Sequence, residues 1–188
     1  DRLTPGYANA GMEKADLVIE AVIEDKDIKQ ALLQSIEPLL KPGAVIATNT
    51  STIPLESLAT VLRDPSRLIG LHFFNPVPLM PLVEVISGEK TDPDLIATAI
   101  TWVKQWGKIP IMVKSAPGFL VNRILMPYLM ESIALLEEGF SVETVDNAAV
   151  AAGFPMGPFT LMDAIGLDVC AMVAKNLMPE APLPDTLK

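Results

Sequence analysis

Apolar residues in the first half of the chain come in short β-branched runs separated by stretches of helical spacing. Residues 16–23, Asp-Leu-Val-Ile-Glu-Ala-Val-Ile, read as a strand buried on both faces. Residues 26–40 place Ile28, Leu32, Ile36 and Leu39 at helical spacing before Lys41-Pro42-Gly43 stops them. Further strands are predicted over 44–48, 67–74, 82–87 and 109–113, with a short helical patch over 55–61. Asp92-Pro93 supplies an N-cap and a first-turn proline for a helix whose apolar face is Leu95, Ile96, Ala99, Ile100 and Val103; Gly107 ends it. This repeated strand–helix–strand order predicts a mainly parallel sheet flanked by helices.

From Pro117 the pattern changes and no strand is predicted. Residues 118–138 read as a long apolar helix kinked at Pro127. Ser141 caps a helix running to about Ala152, residues 153–158 form a turn, and a last helix spans 159 to about 177. The Pro-rich tail over 178–188 reads as irregular. The fold class is therefore α/β over residues 1–115, followed by an all-helical domain over 116–188. The chain opens on Asp1 without an initiator methionine, which reads as an excised piece of something longer.

Composition narrows the function classes. Half of the 188 residues are hydrophobic and mean hydropathy is +0.38, enough for a substantial core and against disorder. A net charge of −9 argues against nucleic acid or an anionic membrane as a bulk partner. Neither an 18-residue apolar stretch nor a basic-then-apolar leader is present, so neither a membrane span nor a secretory signal is predicted. The one cysteine, Cys170, lies in an apolar helical stretch, which suits a buried thiol in a reduced compartment and excludes a disulfide framework.

The candidate chemistry centres on the one histidine. His72 lies in Gly70-Leu-His-Phe-Phe-Asn-Pro-Val-Pro-Leu-Met-Pro-Leu-Val-Glu-Val-Ile86, a strand, a Pro-rich reversal and a second strand carrying Glu84. Such a reversal brings imidazole and carboxylate together, and that pair is the usual general base near neutral pH. On composition alone, a lone histidine near an apolar segment is more often a structural residue. Polar groups following buried strands face the ligand crevice of an open α/β sheet. Glu24 follows the first strand and Asn49-Thr50-Ser51-Thr52 the second. On local grounds Glu24 also suits a solvated acid at a helix start, the Asn49–Thr52 cluster suits a helix N-cap, and Asn122 suits a structural hydrogen bond.

Five segments carry a resemblance: Glu20-Ala-Val-Ile-Glu24 with Lys29; Asn49-Thr-Ser51; the run from Gly70 to Ile86; Ala116-Pro-Gly-Phe-Leu-Val-Asn-Arg123; and Pro155-Met-Gly-Pro158. In this order and spacing they resemble the L-3-hydroxyacyl-CoA dehydrogenase family over residues 15–177. The resemblance implies a partial Rossmann-type parallel sheet domain followed by the start of that family's helical domain, with NAD as cofactor and an acyl-CoA as substrate. It implies that His72 takes the proton of the substrate 3-hydroxyl while hydride leaves C3, and that Glu84 orients the imidazole. It further implies that Ser51 and Asn122 hydrogen-bond the substrate, and that Val22, Ile23, Glu24, Lys29, Ser51 and Asn75 line the NAD site. Met80-Pro-Leu-Val-Glu84 and Asn49-Thr-Ser-Thr-Ile-Pro54 are closer in wording to the dehydrogenase region of multifunctional fatty-acid β-oxidation proteins. Those also carry enoyl-CoA hydratase/isomerase activity, and the resemblance extends to a bacterial cytoplasmic setting, a homo-oligomer and a thiolase partner subunit.

One departure stands out. The family's Gly-x-Gly-x-x-Gly turn and ribose-binding acid are not in these 188 residues, and Gly6 and Gly11 do not supply that spacing. The expectation is a piece with the catalytic set but most of the dinucleotide platform missing: weakly cofactor-binding, inactive alone, and with an exposed sheet edge that favours association. Two other readings compete. One is a Rossmann β-hydroxyacid dehydrogenase acting on a free acid, which would use a lysine as acid/base. The other is a non-catalytic structural or dimerisation module built on the helices after Pro117.

Overall fold

The computed structural model describes residues 5, 6 and 10–177, and the tail predicted to be irregular over 178–188 lies outside them. The chain forms two compact units, Asp1–Phe119 and Leu120–Lys188. The first carries a five-stranded sheet: β1 (Leu17–Glu20), β2 (Val45–Thr48), β3 (Leu68–Phe73), β4 (Leu82–Ser87) and β5 (Ile109–Lys114), paired in that order. β1, β2 and β3 run parallel, β4 is antiparallel to β3, and β5 is parallel to β4. Helices α1 (Lys26–Ile36), α2 (Leu55–Ala59) and α3 (Pro93–Gln105) complete the unit. The mainly parallel α/β architecture expected from the pattern is the one observed, with a single antiparallel hairpin inserted.

The apolar periodicities find each other in the core. Leu95, Ala99 and Val103 of α3 pack on Ala47, Ile69, Leu71, Val83 and Val85 of the sheet, each fully buried Val or Leu side chain contributing about 1.5–3 kcal/mol. The Asp92 carboxylate accepts the Asp94 N–H at 2.8 Å to cap α3, and Gly107, at φ 73°, lets the chain turn away after it. β3 and β4 pack so closely that a Cβ on Gly70 would lie 2.8 Å from that of its partner Ile86.

Three predicted elements are corrected. The first strand spans 17–20 rather than 16–23, because among the described residues β1 pairs with β2 alone and its ladder ends where β2 ends, with Asn49 N–H donating to Glu20 O at 2.8 Å. Ile19 is 42% exposed, so β1 is not buried on both faces. The helix predicted from 118 starts at Val121, because residues 116–119 form a turn. The single helix predicted over 159–177 is divided at Gly166, whose φ of 102° no helix accommodates.

The second unit is helical throughout its described residues: α4 (Val121–Glu137), α5 (Val142–Ala151), α6 (Pro158–Ile165) and α7 (Leu167–Leu177). Ser141 Oγ accepts the Thr144 N–H at 3.2 Å to cap α5, as predicted. The Asp146 carboxylate accepts the Phe159 and Thr160 N–H groups at the start of α6, a contact that leaves no room for a Cβ on Gly157. Leu129, Ile133, Met162 and Cys170 form this unit's core, the thiol buried as expected. Among the described residues no helix is long and apolar enough to cross a membrane.

Candidate functional site

The hairpin places the base. In the β3–β4 register Gly70 faces Ile86, so His72 faces Glu84 directly, and directly opposed residues project from the same face of an antiparallel pair. His72 Nδ1 lies 2.7 Å from Glu84 Oε2. A carboxylate only accepts, so Nδ1 is the donor in this pair, and in the neutral form of the ring Nε2 is the nitrogen that accepts. Glu84 is fully buried and His72 nearly so. Aromatic rings flank the imidazole: Phe74 with its centroid at 4.5 Å and Phe119 at 6.0 Å. The Asn49 side-chain oxygen accepts the Phe73 N–H at 2.9 Å, extending the β2–β3 contact one step past the ladder and fixing the backbone beside His72.

Beyond the ends of β1 and β2 a second cluster forms around Glu24. Its Oε1 accepts from Thr50 Oγ1 at 2.6 Å, Ser51 N–H at 2.8 Å and Thr52 N–H at 3.0 Å. Burial pushes the Glu24 carboxyl up, but the Thr50 hydroxyl, the Ser51 N–H, the Lys29 charge and the Thr52 N–H outweigh it and hold the pKa below the ordinary carboxylate value. Glu24 is therefore no helix-start acid. Asp25 caps α1, accepting the Ile28 N–H. Nor do Asn49–Thr52 cap α2, whose N-cap is Pro54. The loop after β2 is instead bound to Glu24, and this bond fixes Ser51.

Beneath Glu24 lies an ion-pair array. Lys29, 1% exposed, directs Nζ to Glu20 Oε1 at 2.7 Å, Val22 O at 3.1 Å and Glu24 Oε2 at 3.4 Å. Glu20, equally buried, also accepts the Val22 N–H at 2.7 Å and Thr48 Oγ1 at 2.6 Å. One ammonium thus serves two carboxylates. Sequence reasoning passed over Glu20 and Thr48 as strand residues, although a carboxylate inside an apolar strand requires a buried partner, and Lys29 lies nine residues on. It passed over Phe74 and Phe119 too, for which the sequence carries no signal beyond their position in quoted motifs.

The other candidates sit as follows. Val22 and Ile23, in the loop after β1, are 42% and 69% exposed, and Asn75 is exposed in the loop after β3. Asn122 is half-buried in the first turn of α4, in the second unit. Exposed aliphatic surface, a hydroxyl-rich loop and an amide at the carboxyl ends of parallel strands are the groups a nicotinamide nucleotide takes in such sheets. The residues present therefore suit part of that cofactor, whose Gly-x-Gly-x-x-Gly pyrophosphate turn is not among these 188 residues.

Comparison with known proteins agrees. Residues 2–116 match the family model described as "3-hydroxyacyl-CoA dehydrogenase, NAD binding domain", and residues 118–186 match "3-hydroxyacyl-CoA dehydrogenase, C-terminal domain". The fatty acid oxidation complex subunit alpha of Psychrobacter sp. is 46% identical over 187 residues, 100% of this chain and 26% of that protein. The (S)-3-hydroxybutyryl-CoA dehydrogenase PaaH1 from Ralstonia eutropha superposes with a TM-score of 0.89 at 41% identity, covering 93% of this chain and 62% of that one. The 3-hydroxybutyryl-CoA dehydrogenase of Escherichia coli gives 0.86 at 41% identity, covering 90% and 36%. The chain spans about a quarter of the length of the curated relatives it matches.

Proposed function

The chain belongs to the 3-hydroxyacyl-CoA dehydrogenase family, and from that premise we propose that it serves the NAD-dependent oxidation of a 3-hydroxyacyl-CoA to the 3-ketoacyl-CoA in fatty-acid β-oxidation. The observation that carries the reading is the 2.7 Å contact between His72 Nδ1 and Glu84. With Nδ1–H committed to the carboxylate, Nε2 accepts the proton of the substrate hydroxyl, and Glu84 stabilises the imidazolium that results. NAD, when bound, supplies the hydride acceptor at C3. Ser51 hydrogen-bonds the reacting oxygen, where a donor stabilises the charge that develops; Asn122 is the substrate-binding candidate of the second unit. Val22, Ile23, Glu24, Ser51 and Asn75 form the cofactor's protein surface, and Lys29 acts there through Glu24 and the Val22 carbonyl.

The lysine-based alternative, a free-acid dehydrogenase, finds no support. Lys29 is buried and its ammonium is already committed to Glu20, the Val22 carbonyl and Glu24, while Lys108 donates to the Val77 and Met80 carbonyls. The relatives' name, fatty acid oxidation complex subunit alpha, supports membership in such a complex; to this we add as our own proposal a hydratase/isomerase activity on the same protein, a thiolase partner subunit, self-association and a reduced, cytoplasmic compartment.

The test is made in the longest natural protein that carries these residues, by following NADH absorbance with 3-hydroxybutyryl-CoA. His72→Ala is expected to lower turnover by about 10²–10⁴-fold with NADH affinity little changed. Glu84→Gln also lowers it severely, because an amide can hold the ring but cannot offset its charge. Near-normal turnover in His72→Ala overturns the assignment.

A further inference from the structure

We propose that Phe119 is a positioning residue for His72: its ring, carried on a left-handed backbone, closes one face of the imidazole and keeps water from the His72–Glu84 hydrogen bond. Phe119 has a φ of 51° and is the only non-glycine residue with positive φ among the described residues. A bulky side chain rarely adopts this conformation, whereas glycine does so freely. The turn alone does not call for a phenyl. Pro117 and Gly118, the latter at φ 67°, supply the type II pattern, and the Phe119 N–H donates to Ala116 O at 3.0 Å. Strained residues of this kind collect where the surrounding structure holds a side chain in a required place.

What the strain obtains is a contact. Phe119 is 3% exposed, and its ring lies 6.0 Å from the imidazole at an interplanar angle of 54°. Phe74 flanks the same imidazole at 4.5 Å and 50°. The turn is anchored where it matters, since the Gly118 N–H donates to Thr52 O at 3.2 Å. Thr52 follows Ser51 and is itself bound to Glu24. One turn therefore ties the Ser51 loop to the aromatic cover of the base. The His72–Glu84 pair depends on a dry setting, because water competing for the carboxylate weakens the bond that fixes the ring's tautomer.

His72 is the only histidine in the chain, so its ring protons are assignable without ambiguity in a tag-free, ¹⁵N-histidine-labelled protein. The expected result is a slowly exchanging, downfield Nδ1–H resonance in the wild type. Phe119→Gly, which keeps the left-handed turn without strain, is expected to speed that exchange at least about tenfold in the 188-residue chain and, in the longest natural protein that carries these residues, to lower turnover by roughly the same factor with NADH affinity unchanged. Phe119→Leu, restoring apolar bulk, recovers both. The turnover readout rests on the proposed dehydrogenase reading; the exchange readout does not, so the two fail separately. A folded Phe119→Gly protein whose imidazole proton exchanges at the wild-type rate overturns the proposal. So does a wild-type Nδ1–H exchanging as fast as that of an exposed histidine, whatever the variants do.

Discussion

Replacing Lys29 by Met is the sharpest probe of how the first unit is held together. The two side chains are similar in length, so the change removes the charge, two hydrogen bonds and the ion pair to Glu24 while keeping most of the volume. Loss of one neutral hydrogen bond would cost about 0.5–1.5 kcal/mol. Here the ammonium is 1% exposed and its nearest partner, the Glu20 side chain, is fully buried. Removing it leaves a carboxylate with no countercharge and no water, for which about 3–5 kcal/mol is expected. Against a typical total of roughly 5–15 kcal/mol, that is a large fraction. Both tryptophans, Trp102 and Trp106, lie in the first unit, so fluorescence-monitored urea unfolding reports on this sheet alone. With a slope of roughly 1–3 kcal/mol per molar urea, the midpoint should fall by on the order of 2 M. The double variant Glu20→Gln/Lys29→Met should recover more than half of that loss, since the amide oxygen still accepts from Val22 N–H and carries no charge. A Lys29→Met shift below about 1 kcal/mol, or a double variant no more stable than the single one, would refute the charge argument.

Gly70→Ala should destabilise the same unit by about 1–3 kcal/mol, because its Cβ would press on Ile86 inside the β3–β4 pair; an unchanged fluorescence midpoint would contradict this. Glu24 has a depressed pKa in the folded state, so its contribution is present above the ordinary carboxylate value and lost as pH falls through the folded one. Urea midpoints of the wild type should therefore drop more steeply below about pH 4.3 than those of Glu24→Gln, and parallel profiles would show that Glu24 is not the group responsible. Calorimetric titration of the 188-residue chain with NADH should give no affinity tighter than high micromolar, since the chain carries no Gly-x-Gly-x-x-Gly turn; tight binding would mean that other backbone groups hold the pyrophosphate.

What the sequence revealed and what it hid follow from the range of the forces involved. Strands β2 to β5 and helix α3 were legible because their periodicity and caps are local: Asp92-Pro93 and Gly107 bound α3 within a few residues of the predicted limits. The extent of β1 was not legible, because a strand continues only while a neighbour pairs with it, and β2 stops at Thr48. Division of the last helix turned on the single backbone angle at Gly166, which an apolar pattern overrides in a reading by periodicity. In the site, the His72–Glu84 contact was anticipated because a hairpin fixes separation from register. The role of Thr50 and Thr52 as hydrogen-bond donors to Glu24 was not, since it joins residues 26 and 28 positions apart. Phe119 was hidden for a similar reason, as neither its φ nor its ring neighbour is a property of the local sequence.

The inserted hairpin is also where fold and chemistry join. In a sheet made only of βαβ units, neighbouring strands are separated by a whole helix, and each brings its carboxyl end to the crevice. Here β4 runs back beside β3, so a residue in the middle of one strand faces a residue near the end of the other, and His72 meets Glu84 across a single ladder position. β5 then adds on the far side of β4, with Ile111 beside Glu84. That outer strand offers no candidate catalytic group, yet without it Glu84 would sit in an edge strand. An edge carboxylate keeps part of its hydration, and its hold on a neighbouring imidazole is screened. With β5 in place Glu84 is 0% exposed, and the Nδ1–H of His72 meets a carboxylate withdrawn from solvent. The strand order therefore does more than support the hairpin: it sets the low-dielectric side of the dyad, and in the proposed reaction Nε2, on the ring's other edge, is the atom that meets the substrate.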